Sequence, residues 1–210
     1  SYIATVSQGI NDASWQFSVR LEFNPSSNNF AEVYLVSDKA DLSGALEGYL
    51  VRVGWTSDDV SLMRQDGEER VMIIDGIDDR IDLSRVEVDV RVERSNEGEW
   101  QLYSKRKTET NWFLEGSVAD ETYSKSAFFG IKCNYTSTRS NKFFFDNFNV
   151  LGEPYLDIKR PEVDTLYSLS ENEVLIVFDE EIDSNSSYTQ NVILNDEHSP
   201  LKILTEENQL

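Results

Sequence analysis

The chain is poor in the residues most catalytic and metal sites need: 210 residues hold one cysteine, one histidine, two methionines and four prolines. One cysteine, Cys133, excludes an intrachain disulfide, and its place in FFGIKCNY (128–135) reads as a small buried hydrophobe rather than a nucleophile. One Cys and one His cannot build a structural zinc site. They could form a dyad only if folding joined Cys133 to His198, which lies in the polar stretch NDEHSP. No G-x-S-x-G elbow, phosphate loop or G-x-G-x-x-G fingerprint is present. Basic charge is also scarce, with 19 Lys+Arg against 39 Asp+Glu and a formal net charge of −20. Such a surface repels phosphate backbones, which argues against nucleic acid and anionic lipid as partners. No apolar run approaches the roughly 20 residues that span a bilayer. The first residues, SYIATVSQ, lack an initiator Met, a basic stretch and an apolar signal core, as a chain does once an export signal has been removed. Two glycosylation sequons, at Asn134 and Asn185, are patterns that arise by chance in Asn- and Ser-rich chains.

What is present is alternation. Trp15, Phe17, Val19, Leu21 and Phe23 alternate with Gln16, Ser18, Arg20 and Glu22, the period-2 pattern of a strand with one buried face. Comparable runs fall at 30–36, 48–54, 59–65, 70–74, 85–93, 100–106, 128–135 and 142–150, separated by polar turns such as NPSSNN, SDKADLSG and SNEG. No segment carries a sustained i, i+3, i+4, i+7 apolar stripe. The pattern predicts an all-β antiparallel sandwich over about 1–151. Pro154 and Pro161 mark a boundary, after which residues 151–210 hold 14 acidic and only 3 basic residues. The tail still offers a central-strand candidate, EVLIVFD (173–179), and weaker strands near 165–169, 191–195 and 201–204. Sixty residues are short for a complete sandwich of about 100, so a partial Ig-like module is expected over 155–210, within a longer parent chain.

Several segments resemble known families. W-x-F-x-V-x-L-x-F (15–23), AEVYLVSD (31–38), GYLVRVG (48–54), GEWQLY (98–103) and FFFDNFNV (143–150) look like the laminin-G-like, concanavalin-A-like jelly rolls of large exported Bacteroidetes-type proteins. The segment from Pro161, PEVDTLYSLSENEVLIVFDEEIDSNSSYTQNVIL, resembles bacterial Ig-like modules. The resemblance implies an extracytoplasmic, often cell-surface, location and carbohydrate or protein binding, an analogy of fold rather than of a site.

Three constellations bear on chemistry. In RVEVDVRVE, Glu87, Asp89, Arg91 and Glu93 share one strand face and Val86, Val88, Val90 and Val92 the other. Laminarinase-type hydrolases of the same jelly-roll class carry E-x-D-x-E or E-x-D-x-x-E, with catalytic carboxylates roughly 5–5.5 Å apart. Here the third carboxylate is displaced to Glu93, about 13 Å along the strand from Asp89, which breaks that geometry and leaves no catalytic residue. Asp146 shares strand parity with Phe144, Phe148 and Val150 and is expected to point inward. In several carbohydrate-binding jelly rolls a last-strand Asp helps hold a structural calcium, so Asp146, with Asp12 and Asn11, is the candidate metal set. The alternative is a carboxylate that accepts backbone N–H bonds at a strand edge. Of four tryptophans, Trp15 and Trp100 keep core parity, while Trp55 and Trp112 fall between strands. These two, with Tyr103 or Tyr123, are the candidates for a sugar-stacking platform; tethering of loops against the sandwich is the competing role. The functions that follow are a non-catalytic extracytoplasmic module with glycan as candidate ligand, a structural or adhesive spacer that contacts another surface protein, and, third, a relative of glycoside hydrolases.

Overall fold

A computed structural model describes residues 1–156 and 161–180. The chain divides into two compact units, Ser1–Leu156 and Asp157–Leu210. The first unit contains eleven strands: β1 Tyr2–Val6, β2 Gly9–Leu21, β3 Phe30–Ser37, β4 Leu46–Gly54, β5 Asp59–Gly67, β6 Glu69–Ile74, β7 Val86–Arg94, β8 Glu99–Arg106, β9 Phe113–Ala119, β10 Phe128–Asn134 and β11 Phe143–Pro154. They form two antiparallel sheets, one in the order β1-β10-β3-β4-β5-β6 and the other β11-β2-β7-β8-β9. This is an antiparallel jelly-roll β-sandwich.

Alternation explains the five-stranded sheet. On β2, Trp15, Phe17, Val19 and Leu21 are buried while Gln16, Ser18 and Arg20 face outward. On β7, four valines are buried and Glu87, Asp89, Arg91 and Glu93 are half-exposed. The inward residues meet Val33, Val51, Val53, Val60 and Leu62 of the six-stranded sheet in one core. Its centre is aromatic: the rings of Trp15 and Trp100 stack 5.7 Å apart, and Tyr49 lies 4.5 Å from Trp100.

β3 and β4 behave differently, because almost every residue on both is buried. A second, smaller apolar cluster of Tyr34, Leu42, Leu46, Leu50 and Met63 covers the outward face of their sheet. Leu42 belongs to the 37–44 segment, which composition marks as a polar turn. The segment instead folds back over the sheet, held by Lys39 Nζ donating to the Ala45 carbonyl at 2.9 Å and by Asp41 accepting from the Ser43 backbone at 2.8 Å.

The structure departs from the expected pattern at three other places. β1 and β9 are strands the alternation does not reveal; β9 carries Glu115 inward and Gly116 in mid-strand. Asp146 is exposed, not inward. Asn147 adopts φ 57°, and one extra residue enters β11 there: Asp146 pairs with Ser18 but Asn149 with Gln16. This bulge resets the parity, so Phe143 and Phe145 point to the core before it and Val150 after it.

In the second unit, β12 (Val163–Ser170) and β13 (Glu173–Phe178) form an antiparallel hairpin with Leu166 opposite Ile176. The strands expected near 191–195 and 201–204, His198 and the Asn185 sequon lie outside the described residues. Among the described residues, no helix is long and apolar enough to cross a membrane.

A polar cluster closes one end of the first unit and makes its stability pH-dependent. Arg64 grips Asp66 through Nε and Nη2 at 2.9 and 3.0 Å and also pairs with Asp120. Tyr49 and Tyr123 donate their hydroxyls to Asp120 and Asp66, and Trp100 Nε1 donates to the Asp120 carbonyl at 3.0 Å. The Arg64 hydrogen bonds hold the Asp66 carboxyl below its ordinary range. Burial alone would raise Asp120, but hydrogen bonds from Tyr49, Thr122 and Arg64 outweigh it and leave this carboxyl lowered too. A folded-state pKa below the unfolded value of about 3.9 contributes stability that is complete above that value and lost as pH falls through the folded one. The urea midpoint is therefore expected to fall between about pH 4 and pH 2, and less steeply in Asp120→Asn. Parallel pH profiles for the two proteins would show that this cluster does not govern acid stability.

Candidate ligand-binding face

Register, rather than sequence proximity, assembles the most polar part of the six-stranded sheet. Lys132 on β10 pairs with Glu32 on β3, Glu32 with Arg52 on β4, and Arg52 with Ser61 on β5. These four side chains form one row across the outward face, beside the row of Tyr34, Leu50 and Met63. Glu32 is fully buried in its strand and Arg52 is 8% exposed. Charges buried this far need partners.

Glu32 has them. Its carboxylate pairs with Arg70 of the edge strand β6, lies 3.7 Å from Lys132 Nζ, and accepts from Asn134 Nδ2 at 3.0 Å. Arg70 also donates to the Tyr34 hydroxyl at 2.9 Å and to Gln65 Oε1 at 3.3 Å, and the Tyr34 hydroxyl donates to Gln65 at 2.9 Å. Burial, with Glu32 nearby, pushes the Tyr34 phenol up, and burial pushes the Lys132 ammonium down.

Arg52 does not. Its Nε and Nη2 are closed off from solvent and have no hydrogen-bond partner. Asp59 accepts from Ser61 through Oδ2, while its buried Oδ1 has no partner. Burial lowers the Arg52 guanidinium and raises the Asp59 carboxyl, the signature of a desolvated donor and acceptor. An unsatisfied buried polar group costs about 1–3 kcal/mol, so a protein keeps several together only for a reason.

Trp55 stands over Arg52. It follows Gly54 at the β4–β5 turn with φ 80°, a conformation unusual for a bulky side chain. Its ring meets Phe30 edge-on at 5.0 Å, and the Arg52 guanidinium carbon lies 5.2 Å from its centre. A cavity of about 230 Å³ is lined by Phe30, Glu32, Arg52, Trp55, Met63 and Arg70.

The other sequence candidates lie elsewhere. Tyr103 and Trp112 come together on the outward face of the five-stranded sheet, where Arg91 lies 4.4 Å from one ring centre and 4.9 Å from the other. Lys105 adds a second cation 5.0 Å from the Trp112 ring, where the Trp55 ring has Arg52 alone. Trp55, on the opposite sheet, does not converge with them. Tyr123 is engaged in the Asp66 cluster described above. Asp12 and Asp146 are not brought together: Asp146 pairs with Ser18, six residues from Asp12 in β2, or about 20 Å along a strand. Asp12 accepts from Asn96 Nδ2 at 2.7 Å, Asn11 Oδ1 lies 3.4 Å from Arg94 Nη1, and Asp146 accepts the Asn147 backbone N–H at 2.7 Å. Among the described residues, no group of three or more His, Cys, Asp or Glu side chains could hold a metal ion, and Asp12 and Asp146 stand too far apart to share one.

The carboxylates of β7 are committed to cations: Glu87 to Lys107 at 2.6 Å, Asp89 to Lys105 at 3.0 Å and Glu93 to Arg91 at 3.2 Å. Cys133 is half-buried, and burial pushes its thiol up to about 11, which suits packing rather than nucleophilic chemistry. Glu32, Arg52, Asp59, Arg70 and Asn134 were not among the sequence candidates. The available signal was a single charge inside an otherwise apolar strand, in AEVYLV and again in GYLVRVG.

No protein-family model matches the chain, and no curated protein matches its sequence. Solved structures do match by fold. The exoplasmic/lumenal domain of VIP36 in its Ca2+/Man-bound form superposes with a TM-score of 0.51 at 9% identity, covering 86% of this chain and 81% of that one. The carbohydrate-binding module CBM66 from Bacillus subtilis gives 0.49 at 13% identity over 70% of this chain and 81% of that one. A tetrameric galectin from Cinachyrella sp. gives 0.47 at 11% identity over 71% and 99%.

Proposed function

We propose that the chain is a non-catalytic, extracytoplasmic carbohydrate-binding module of a larger surface protein, in which the 1–151 sandwich carries the site and an Ig-like module follows from 155. The site is the outward face of the six-stranded sheet at Trp55. The observation that carries this reading is the cavity that sets the Trp55 and Phe30 rings beside the charged side chains of Arg52, Glu32 and Arg70. A sugar offers a match for this lining: an apolar ring face for Trp55, and hydroxyls for the charged groups of Arg52, Glu32 and Arg70. The Man-bound VIP36 domain, which shares the fold, points to the same ligand class.

The test is a glycan array probed with the intact chain, with and without calcium. A reproducible hit is expected, weakened at least tenfold by Trp55→Ala and unchanged by Trp112→Ala. Calcium belongs to the proposal only by likeness to the VIP36 domain. Any calcium dependence is expected to survive Asp12→Asn and Asp146→Asn, since these two stand about 20 Å apart. A blank array from folded protein would overturn the reading in favour of a structural or adhesive spacer.

A further inference from the structure

Arg70 borders two cavities, not one. Besides the 230 Å³ space at Trp55, a second of about 180 Å³ is lined by Ser43, Gly44, Gln65, Glu68 and Arg70. Each falls below the roughly 300 Å³ at which small-molecule sites begin, and Arg70 is the lining residue they share. Their chemistries differ. The first offers two rings and buried charges; the second has no ring and only hydroxyl, amide and charged groups. Arg70 is also fixed in place: Nη1 is held by Glu32, Nη2 by Tyr34 and Nε by Gln65, while the side chain stays 30% exposed. A guanidinium pinned at all three nitrogens is a rigid element of the face rather than a mobile lid.

We infer that the site takes a chain of two or more sugar units, one stacked at Trp55 and the next hydrogen-bonded beside Ser43 and Glu68, with Arg70 as the positioning residue between the two subsites. This rests on the carbohydrate reading and deepens it, by excluding a single monosaccharide as the preferred ligand. The 37–44 segment, anchored by Leu42 in the outer apolar cluster, is then the wall of the second subsite.

Gly44 allows a clean test. It is exposed, a Cβ added there meets nothing within 4 Å, and its φ is not in the left-handed region. Gly44→Phe should therefore fold normally, which an unchanged melting temperature checks, while filling the second cavity. Arg70→Ala would be less clean, because it strips the buried Glu32 of a partner. The probes are glucose, galactose, mannose, xylose and glucuronic acid, each as monosaccharide and as linked oligomers of two to four units, titrated calorimetrically into the intact chain. For the sugar that binds, the oligomer is expected to bind at least tenfold tighter than its monosaccharide. In Gly44→Phe the oligomer should fall to within about twofold of the monosaccharide, whose own affinity is unchanged. A monosaccharide that binds as tightly as its oligomers, or an oligomer preference that survives Gly44→Phe, overturns the two-subsite inference and leaves the carbohydrate reading standing. Binding by none of the probes overturns both.

Discussion

Trp100→Ala is expected to remove about 3–5 kcal/mol of stability from the first unit. Trp100 is fully buried between Trp15 and Tyr49, and its indole N–H donates to the Asp120 carbonyl. Removing it opens a cavity between the sheets, takes a stacking partner from each neighbouring ring, and leaves that carbonyl without its donor. Against a typical total of about 5–15 kcal/mol, this is enough to bring the unit close to unfolding at 37 °C. Trp112→Ala, on the outward face of the same five-stranded sheet, should shift stability by less than about 1 kcal/mol. Urea unfolding followed by tryptophan fluorescence compares the two. All four tryptophans lie within residues 1–156, so the signal reports on the first unit alone. A loss below about 1.5 kcal/mol for Trp100→Ala would show that the aromatic stack is not the centre of the core.

Glu32→Ala should be nearly as severe, at about 3 kcal/mol, and for a different reason. The lost packing is small, but Arg70 and Lys132 would then face each other near Arg52 with no carboxylate between them. Breaking a buried ion pair by removing one partner typically costs about 3–5 kcal/mol. The lower figure applies here because the Arg70 and Lys132 side chains retain 30% and 16% exposure and can turn partly to solvent. Glu32→Gln, which keeps the shape but not the charge, should cost less than Glu32→Ala. The two variants unfolding alike, or Glu32→Ala costing under about 1 kcal/mol, would show that this row of charges contributes little to the fold. Because Glu32 also lines the cavity at Trp55, its loss should disorder the binding face even where the sandwich survives.

The sandwich was legible in the sequence because its signal is local. Strands such as β2 and β7 bury every second residue, and that periodicity is visible in any short window along them. β9 escaped because Glu115 is one of its inward residues, paired with Arg80 and inverting the usual pattern. The direction of Asp146 was misread for a related reason: one extra residue at Asn147 shifts the period by one, and composition gives no sign of it.

The candidate site was legible only in part. Trp55 stands out as an aromatic beside a turn, but Glu32, Arg52, Arg70 and Asn134 come together through the pairing of β10, β3, β4 and β5, and through the reach of Arg70 from β6. That register is long-range information. Leu42, hidden in a segment that reads as a polar turn, packs into the apolar row of Tyr34, Leu50 and Met63 beside these charges. A lone charge in an apolar strand is a signal that sequence reading can use, since such a residue is either paired across the sheet or waiting for a ligand.

Carbohydrate binding on the outward face of the six-stranded sheet at Trp55 is tested most directly by nuclear magnetic resonance. The sugar selected by the glycan array is titrated into 15N-labelled protein while the four tryptophan indole N–H signals are followed. Binding at Trp55 predicts a saturable shift of its signal, together with backbone amides of β3–β6, while the Trp112 signal stays where it is. A shift confined to Trp112 and the amides around Tyr103 would contradict it and move the site to the five-stranded sheet.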